Sequence, residues 1–181
     1  IQLRANKTLE KIQEVLNDKK KYIKAWQLNE RHYGALTGLN KIEMIKKIGE
    51  EKVYELRRSW DIRPETLNRK SPYHPFNIET YNNIPKEIIP DTESLKDTYE
   101  RVTKYFENEI KNKLEKNNIL ISAHGNSIRA LCKNLFNLDN NQISELEIPT
   151  GNPLIIKINE DLKITNCEYL DKKRAKNLLV F

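Results

Sequence analysis

Apolar residues at Ala5, Leu9, Ile12, Val15 and Leu16 recur at three- and four-residue spacing, which predicts an amphipathic helix near the start of the chain. Lys19-Lys20-Lys21 is expected to close it, because the negative end of a helix dipole favours cations. Tyr22 to Leu28 then predicts a short strand running into Asn29-Glu30-Arg31-His32-Tyr33-Gly34, with Gly34 and Gly38 punctuating a loop. A second helix is expected from about Lys41 to Arg58, on the stripe Ile42, Ile45, Ile48 and Val53. From Asp61 to Asp91 the pattern breaks. Five of the seven prolines fall here, at Pro64, Pro72, Pro75, Pro85 and Pro90, a density that forbids a long helix or a central strand and predicts an extended surface excursion. A lid and a disordered linker both fit such a stretch.

The strongest helical pattern follows. Leu95, Tyr99, Val102, Phe106, Ile110 and Leu114 keep the three-four spacing, and Ser94 with Asp97 resembles a capping box. Asn118-Ile119-Leu120-Ile121-Ser122-Ala123 is too short for a helix and predicts a buried strand of a parallel sheet. His124-Gly125-Asn126 follows directly, then a helix marked by Ile128, Leu131, Leu135 and Leu138. Pro153 to Ile158 and Leu162 to Leu170 predict a hairpin around Asn159-Glu160-Asp161, and a terminal helix is expected from Asp171. Alternating helices and strands predict an α/β class with a mostly parallel sheet and an antiparallel edge, in one domain of 181 residues.

Composition narrows the partners. The net charge is +6, but 23 of the 32 cations are Lys and only 9 are Arg, so solvated surface explains the charge better than a polyanion-binding face. Affinity for nucleic acid through that charge would fall steeply with salt, and the scattered lysines argue against it. No apolar run reaches the length of a membrane span. Cys132 and Cys167 have no metal or redox spacing, which fits a reducing compartment and a soluble cytosolic protein.

Two predicted strands end in unusual polar residues, at the sheet edge where open α/β folds bind ligands. One gives Glu30-Arg31-His32-Tyr33-Gly34, the other His124-Gly125-Asn126-Ser127. In the second, a strand passes through glycine into a helix start, whose free N–H groups favour an anion. A core histidine beside a turn glycine fits that spacing equally well. Arg57-Arg58 suits phosphate or carboxylate oxygens, with surface salt bridges as the alternative. Glu30 is either a proton donor and acceptor or the partner of Arg31. His32, His74 and His124 lack zinc spacing, no glycine-rich phosphate loop occurs, and Ser127 has no nucleophile-elbow context.

Leu28-Asn29-Glu30-Arg31-His32-Tyr33-Gly34, continuing through Leu36-Thr37-Gly38-Leu39-Asn40-Lys41, closely resembles the cofactor-dependent phosphoglycerate mutases of the histidine phosphatase superfamily. Arg57-Arg58-Ser59-Trp60-Asp61, His74-Pro75-Phe76, Glu93 to Asp97, Ala123 to Arg129 and Pro149-Thr150-Gly151 match that family in the same order. The resemblance implies a three-layer α/β/α sandwich and the interconversion of 3-phosphoglycerate and 2-phosphoglycerate in glycolysis. It further implies 2,3-bisphosphoglycerate as primer of a phosphohistidine, no metal, a cytoplasmic location, and usually an oligomer of identical subunits. Glu30 then resembles the general acid/base, and His124 the second active-site histidine, which stabilises the phosphoryl group in transit. Arg4, Arg31, Tyr33, Lys41, Arg57 and Arg58 resemble the residues that bind substrate phosphate and carboxylate. Gly125 would add a backbone N–H, and Asn126 lies in the same loop.

One departure is large. The family's nucleophile is a histidine in an Arg-His-Gly run on the first strand, and these 181 residues contain no such run. The expectation is that the chain lacks the N-terminal part of its domain, first strand included, and has no mutase activity by itself. Ala35 stands where the family commonly has Gly, and the proline-rich region is shorter than usual. Bisphosphoglycerate synthesis or hydrolysis on the same fold, and a non-catalytic phospho-ligand or protein-binding module, are the remaining readings.

Overall fold

The computed structural model describes residues 1–175. Helix α1, Leu3–Leu16, forms where the first apolar stripe predicts it, but ends before the lysines. Asn17 takes the left-handed conformation (φ 50) and terminates it, a geometry that Asn tolerates better than most residues. Of the stripe, Ala5 alone is buried, while Val15 and Leu16 are exposed.

The single helix expected over 41–58 is two helices, α2 (Lys41–Ile48) and α3 (Glu50–Arg58). Gly49 at φ 84 breaks them, a backbone state that residues with a Cβ rarely adopt. The proline-rich stretch is ordered by short 3₁₀ turns at Pro75–Asn77, Glu79–Tyr81 and Lys86–Ile88. Its middle is pinned by fully buried His74, whose Nε2 meets Asp91 Oδ1 at 3.0 Å.

Helix α4, Leu95–Tyr105, opens on the expected capping box: Ser94 Oγ accepts from the Asp97 N–H, and Asp97 Oδ2 accepts from the Ser94 N–H. A π-helical turn, Phe106–Ile110, carries it into α5, Lys111–Leu114. Helix α6, Gly125–Phe136, lies against α4, and α7, Asn140–Glu145, follows. Leu95, Cys132, Leu138, Ile143 and Leu146 form the core between them, flanked by Trp60, Ile128 and Leu154.

The parallel sheet expected from the sequence is not formed among the described residues. Their one sheet is the antiparallel hairpin of β1 (Leu154–Ile158) and β2 (Ile164–Tyr169), in the register Leu154 opposite Tyr169. Residues 117–124 run without helix or ladder, and Leu120 is 55% exposed rather than buried. Tyr22 to Leu28 likewise forms no strand, its last three residues making a 3₁₀ turn, Trp26–Leu28. The physical reason is pairing: an apolar run becomes a strand only when a neighbour takes up its N–H and C=O groups, and neither segment has such a neighbour here. The chain is thus a mixed α/β fold, helix-rich in the described part. Where a terminal helix is predicted from Asp171, the chain makes a 3₁₀ turn, Lys172–Arg174, that ends at an extended Ala175, and the rest of that prediction falls outside the described residues. None of the described helices is long and apolar enough to cross a membrane.

Candidate active site

The segment Asn29–Tyr33 is held on three sides. Arg101 of α4 donates to the carbonyls of Gln27 (2.6 Å), Asn29 (3.1 Å) and Glu30 (3.3 Å) while pairing with Glu93. Glu93 exchanges bonds with His32, accepting its N–H at Oε2 and donating its own N–H to the His32 carbonyl. Ser127 Oγ of α6 donates to the Leu28 carbonyl at 3.0 Å, and Gln2 Oε1 accepts the Glu30 N–H at 2.9 Å. The same serine accepts the His124 N–H at 3.3 Å, so one hydroxyl ties together the two loops singled out in the sequence.

Between these loops the side chains converge. Glu30 Oε1 accepts from the Arg31 N–H and from Asn126 Nδ2, each at 2.8 Å, which leaves Oε2 open. Asn126 Nδ2 also donates to the Tyr33 hydroxyl at 2.8 Å. Arg31 lies over the Tyr33 ring at 4.4 Å and Arg57 approaches it at 5.2 Å, cations stacked on an aromatic face. Arg31 is only 2% exposed; its Nη2 reaches the Leu56 carbonyl at 2.7 Å, while Nε and Nη1 have no partner among the described residues. A buried guanidinium with unmet donors is costly unless an anion completes it.

His124 is 6% exposed, and its Nδ1 lies 3.1 Å from Arg4 Nη2. Arginine has no acceptor, so Nδ1 must present its lone pair and the imidazole proton sits on Nε2. That Nε2 is buried and has no partner among the described residues. Burial pushes the His124 pKa down, with Arg4 and Arg101 acting the same way and Glu30 opposing them, so the ring is neutral at pH 7. Gly125 and Asn126 begin α6, whose first intrahelical bond is from the Ile128 N–H to the His124 carbonyl, so their own N–H groups have no helical acceptor. The ensemble offers fixed cations, orphan donors and one open carboxylate oxygen: a receptor for a small polyanion with a group that takes or gives a proton.

Of the residues picked out in the sequence, Arg4, Glu30, Arg31, Tyr33, Arg57, His124, Gly125 and Asn126 come together. Arg58 points its guanidinium to Glu147 instead, at 2.5 Å. Lys41 is exposed at the start of α2 and makes no hydrogen bond or ion pair with the cluster among the described residues. Four contributors were not picked out. Gln2 carries no sequence signal. Glu93 and Arg129 lie inside motifs that were noticed without a role, and Arg101 is a cation on the helix with the strongest apolar stripe. No group of three or more potential metal ligands occurs among the described residues.

Comparison with known proteins points the same way. Residues 70–166 match the family model of the histidine phosphatase superfamily, branch 1. A 2,3-bisphosphoglycerate-dependent phosphoglycerate mutase of Pelagibacter ubique (strain HTCC1062) is 66% identical over 181 residues, which cover 99% of this chain and 76% of that protein. Proteins with the same name from Maricaulis maris (strain MCS10) and Borreliella burgdorferi (strain ZS7) are 46% and 45% identical, over 86% and 97% of this chain. The chain covers 65% and 72% of those two.

Proposed function

The chain belongs to the histidine phosphatase superfamily and, within it, to the 2,3-bisphosphoglycerate-dependent phosphoglycerate mutases, and from that premise we propose that it holds the substrate-binding and proton-transfer groups of an enzyme interconverting 3-phosphoglycerate and 2-phosphoglycerate. The observation that carries this is the pairing of a neutral His124, its Nε2–H turned to no protein group, with a Glu30 carboxylate whose second oxygen is open. Glu30 Oε2 would take the proton of a substrate hydroxyl as that oxygen bonds to phosphorus and the bond from phosphorus to the nitrogen of the transferring histidine breaks, and would return it to the substrate oxygen when the phosphoryl group goes back to that nitrogen. His124 Nε2 and the Gly125 N–H donate to the phosphoryl oxygens in transit, a neutral donor set that gains strength in a dry site. Arg4, Arg31, Arg57 and Arg58, with the Tyr33 hydroxyl, receive the phosphate and carboxylate of the substrate; Lys41 is assigned the rim of the same site. The Arg-His-Gly run that carries the transferring histidine is not among these 181 residues, so these roles concern only the groups present.

2,3-Bisphosphoglycerate supplies the first phosphoryl group to the enzyme. The unmet Arg31 donors and the cation set fit it as well as they fit the monophosphates. A three-layer α/β/α sandwich within a single domain belongs to the same proposal, with 118–123 as one strand of its parallel sheet. So do a cytoplasmic location and a homo-oligomeric state. In a full-length protein that includes the transferring histidine, mutase turnover is expected to rise with added bisphosphoglycerate, and His124→Ala is expected to lower kcat by about two to four powers of ten. Unchanged turnover in that variant would overturn the role of His124. Phosphatase turnover exceeding mutase turnover would overturn the choice of reaction.

A further inference from the structure

Arg129 is 5% exposed and makes no ion pair with a carboxylate among the described residues. Its Nη1 donates to Asn126 Oδ1 at 3.0 Å, its Nη2 donates to the Ile143 carbonyl, and its Nε has no partner among the described residues. Burial, together with the nearby Arg58 and Arg31, brings its pKa down to about 10. A buried cation with two other cations nearby, two neutral oxygens as its hydrogen-bond partners and the Glu30 carboxylate close enough to be felt but not paired is an expensive way to fill a helix position beside the core. An apolar side chain of similar volume would often be neutral or stabilising there.

What the guanidinium does provide is an orientation. The two ends of an Asn side chain are almost the same in shape, so only the hydrogen-bond partners decide which way it faces. Because arginine donates and never accepts, the Asn126 atom against it must be the oxygen, and the amide nitrogen must then face the loop of Glu30 and Tyr33. Both Nδ2 hydrogens are used there, one on Glu30 Oε1 and one on the Tyr33 oxygen. Tyr33 accepts, and therefore keeps its own O–H free to donate.

We propose that Arg129 is a positioning residue: by holding Asn126 with its amide nitrogen toward Glu30 and Tyr33, it keeps one carboxylate oxygen of Glu30 occupied and the Tyr33 hydroxyl free to donate to the substrate. This rests on the reading of Glu30 as the proton-transfer group, but its test does not need turnover. Arg4, Arg31, Tyr33, Arg101, His124 and Arg129 are the charged and titratable groups around Glu30, and the midpoint of its carboxyl ¹³C shift against pH is the readout, taken in the full chain. Arg129→Met should raise that midpoint by about one pH unit, a tenfold change in proton affinity, because Asn126 is no longer held as a donor. Arg129→Lys, which can still donate to Oδ1, should recover most of the shift, whereas a packing role would favour Met over Lys. In an Asn126→Ala background, the Arg129→Met shift should fall to less than half. If Arg129→Met does not fold, Asn126→Ala alone is expected to raise the midpoint, and Arg129→Lys should add nothing to it. A midpoint unmoved by these changes, or a shift of equal size in both backgrounds, overturns the proposal. A failed mutase assay with an intact shift would instead count against the assigned reaction.

Discussion

At the scale of single residues, position rather than type decides what the site can do. Gly34 shows it for the backbone: its φ is 55, and a Cβ there would lie 2.1 Å from the Glu65 carbonyl and 2.6 Å from Thr92 Oγ1. The turn that carries Tyr33 to Asn126 therefore admits no side chain at 34, while the neighbouring Ala35, in a 3₁₀ turn, keeps its methyl and still donates to Glu65. His124 shows it for charge. The lowered pKa means that the unfolded chain binds a proton more readily than the folded one below about pH 6.5, the ordinary value for His. Stability contributed by the neutral ring is therefore complete above that pH and is lost as pH falls toward the folded midpoint. His32, half-buried and shifted the same way, adds to the loss. Urea unfolding at pH 7.5 and pH 5.5 is expected to show the protein weaker at the lower pH, with about half of the difference removed in His124→Gln. A ¹H–¹³C titration should place the His124 midpoint below 6.5 and move it upward in Arg4→Met. An unmoved midpoint would contradict the contact that sets the tautomer. Polar residues at the end of predicted strands drew attention to Glu30 and His124 while leaving structural roles open, and the ordered family motifs then decided for them and for Asn126. Sequence could not single out Gln2, whose partner Glu30 lies in another loop, or Arg129, whose hold on Asn126 one turn back gains its meaning only from what Asn126 meets across the site.

At the scale of elements, the helices and the hairpin of β1 and β2 were legible, and the strands expected in a parallel sheet were not. A three-four stripe buries its face against whatever lies beside it, so α4 and α6 form where the pattern puts them; α1 forms there too, although only Ala5 of its stripe is buried. Two details escaped the pattern because they are backbone events: the break at Gly49 and the π turn at Phe106–Ile110. The run 118–123 has strand composition without a ladder, since composition cannot supply the neighbour. Element geometry also sets the state of Arg58. It ends α3, and Glu147, just beyond α7, closes on it in an ion pair between two partly exposed side chains. Such a pair is worth little in stability, on the order of 0 to 1 kcal/mol, but it competes with a substrate anion for the same guanidinium. Glu147→Gln is accordingly expected to leave the unfolding midpoint almost unchanged and to tighten 3-phosphoglycerate binding severalfold by calorimetry, most clearly at low salt. Equal affinity in the variant and the parent would mean that Arg58 does not meet the ligand.

At the scale of the whole molecule, the site and the core share the same elements. Arg4 comes from α1, Glu30 to Tyr33 from a loop held by α4, Arg57 from α3, and His124 to Asn126 from α6. The core residue Cys132 lies two turns along α6 from His124, 2% exposed among Leu95, Leu138, Ile143 and Leu146. Burial pushes its thiol up to about 12. The thiolate is the reactive form, so native Cys132 is both shielded and almost wholly protonated at pH 8. It should react only as fast as the core opens. Cys167, half-buried on β2, is nearer the surface and would react first, so the measurement belongs in Cys167→Ser. A ligand that binds across α1, α3, the Glu30 loop and α6 binds only the closed molecule. It should therefore slow Cys132 modification by the factor 1 + [L]/Kd when opening is in rapid equilibrium. Added 3-phosphoglycerate is expected to give that slowing, with the Kd found by calorimetry, and Arg31→Met should abolish it. If Cys132 reacts at the same rate with and without saturating ligand, the core opens while the site stays bound. The two would then be separate cooperative units despite sharing α6.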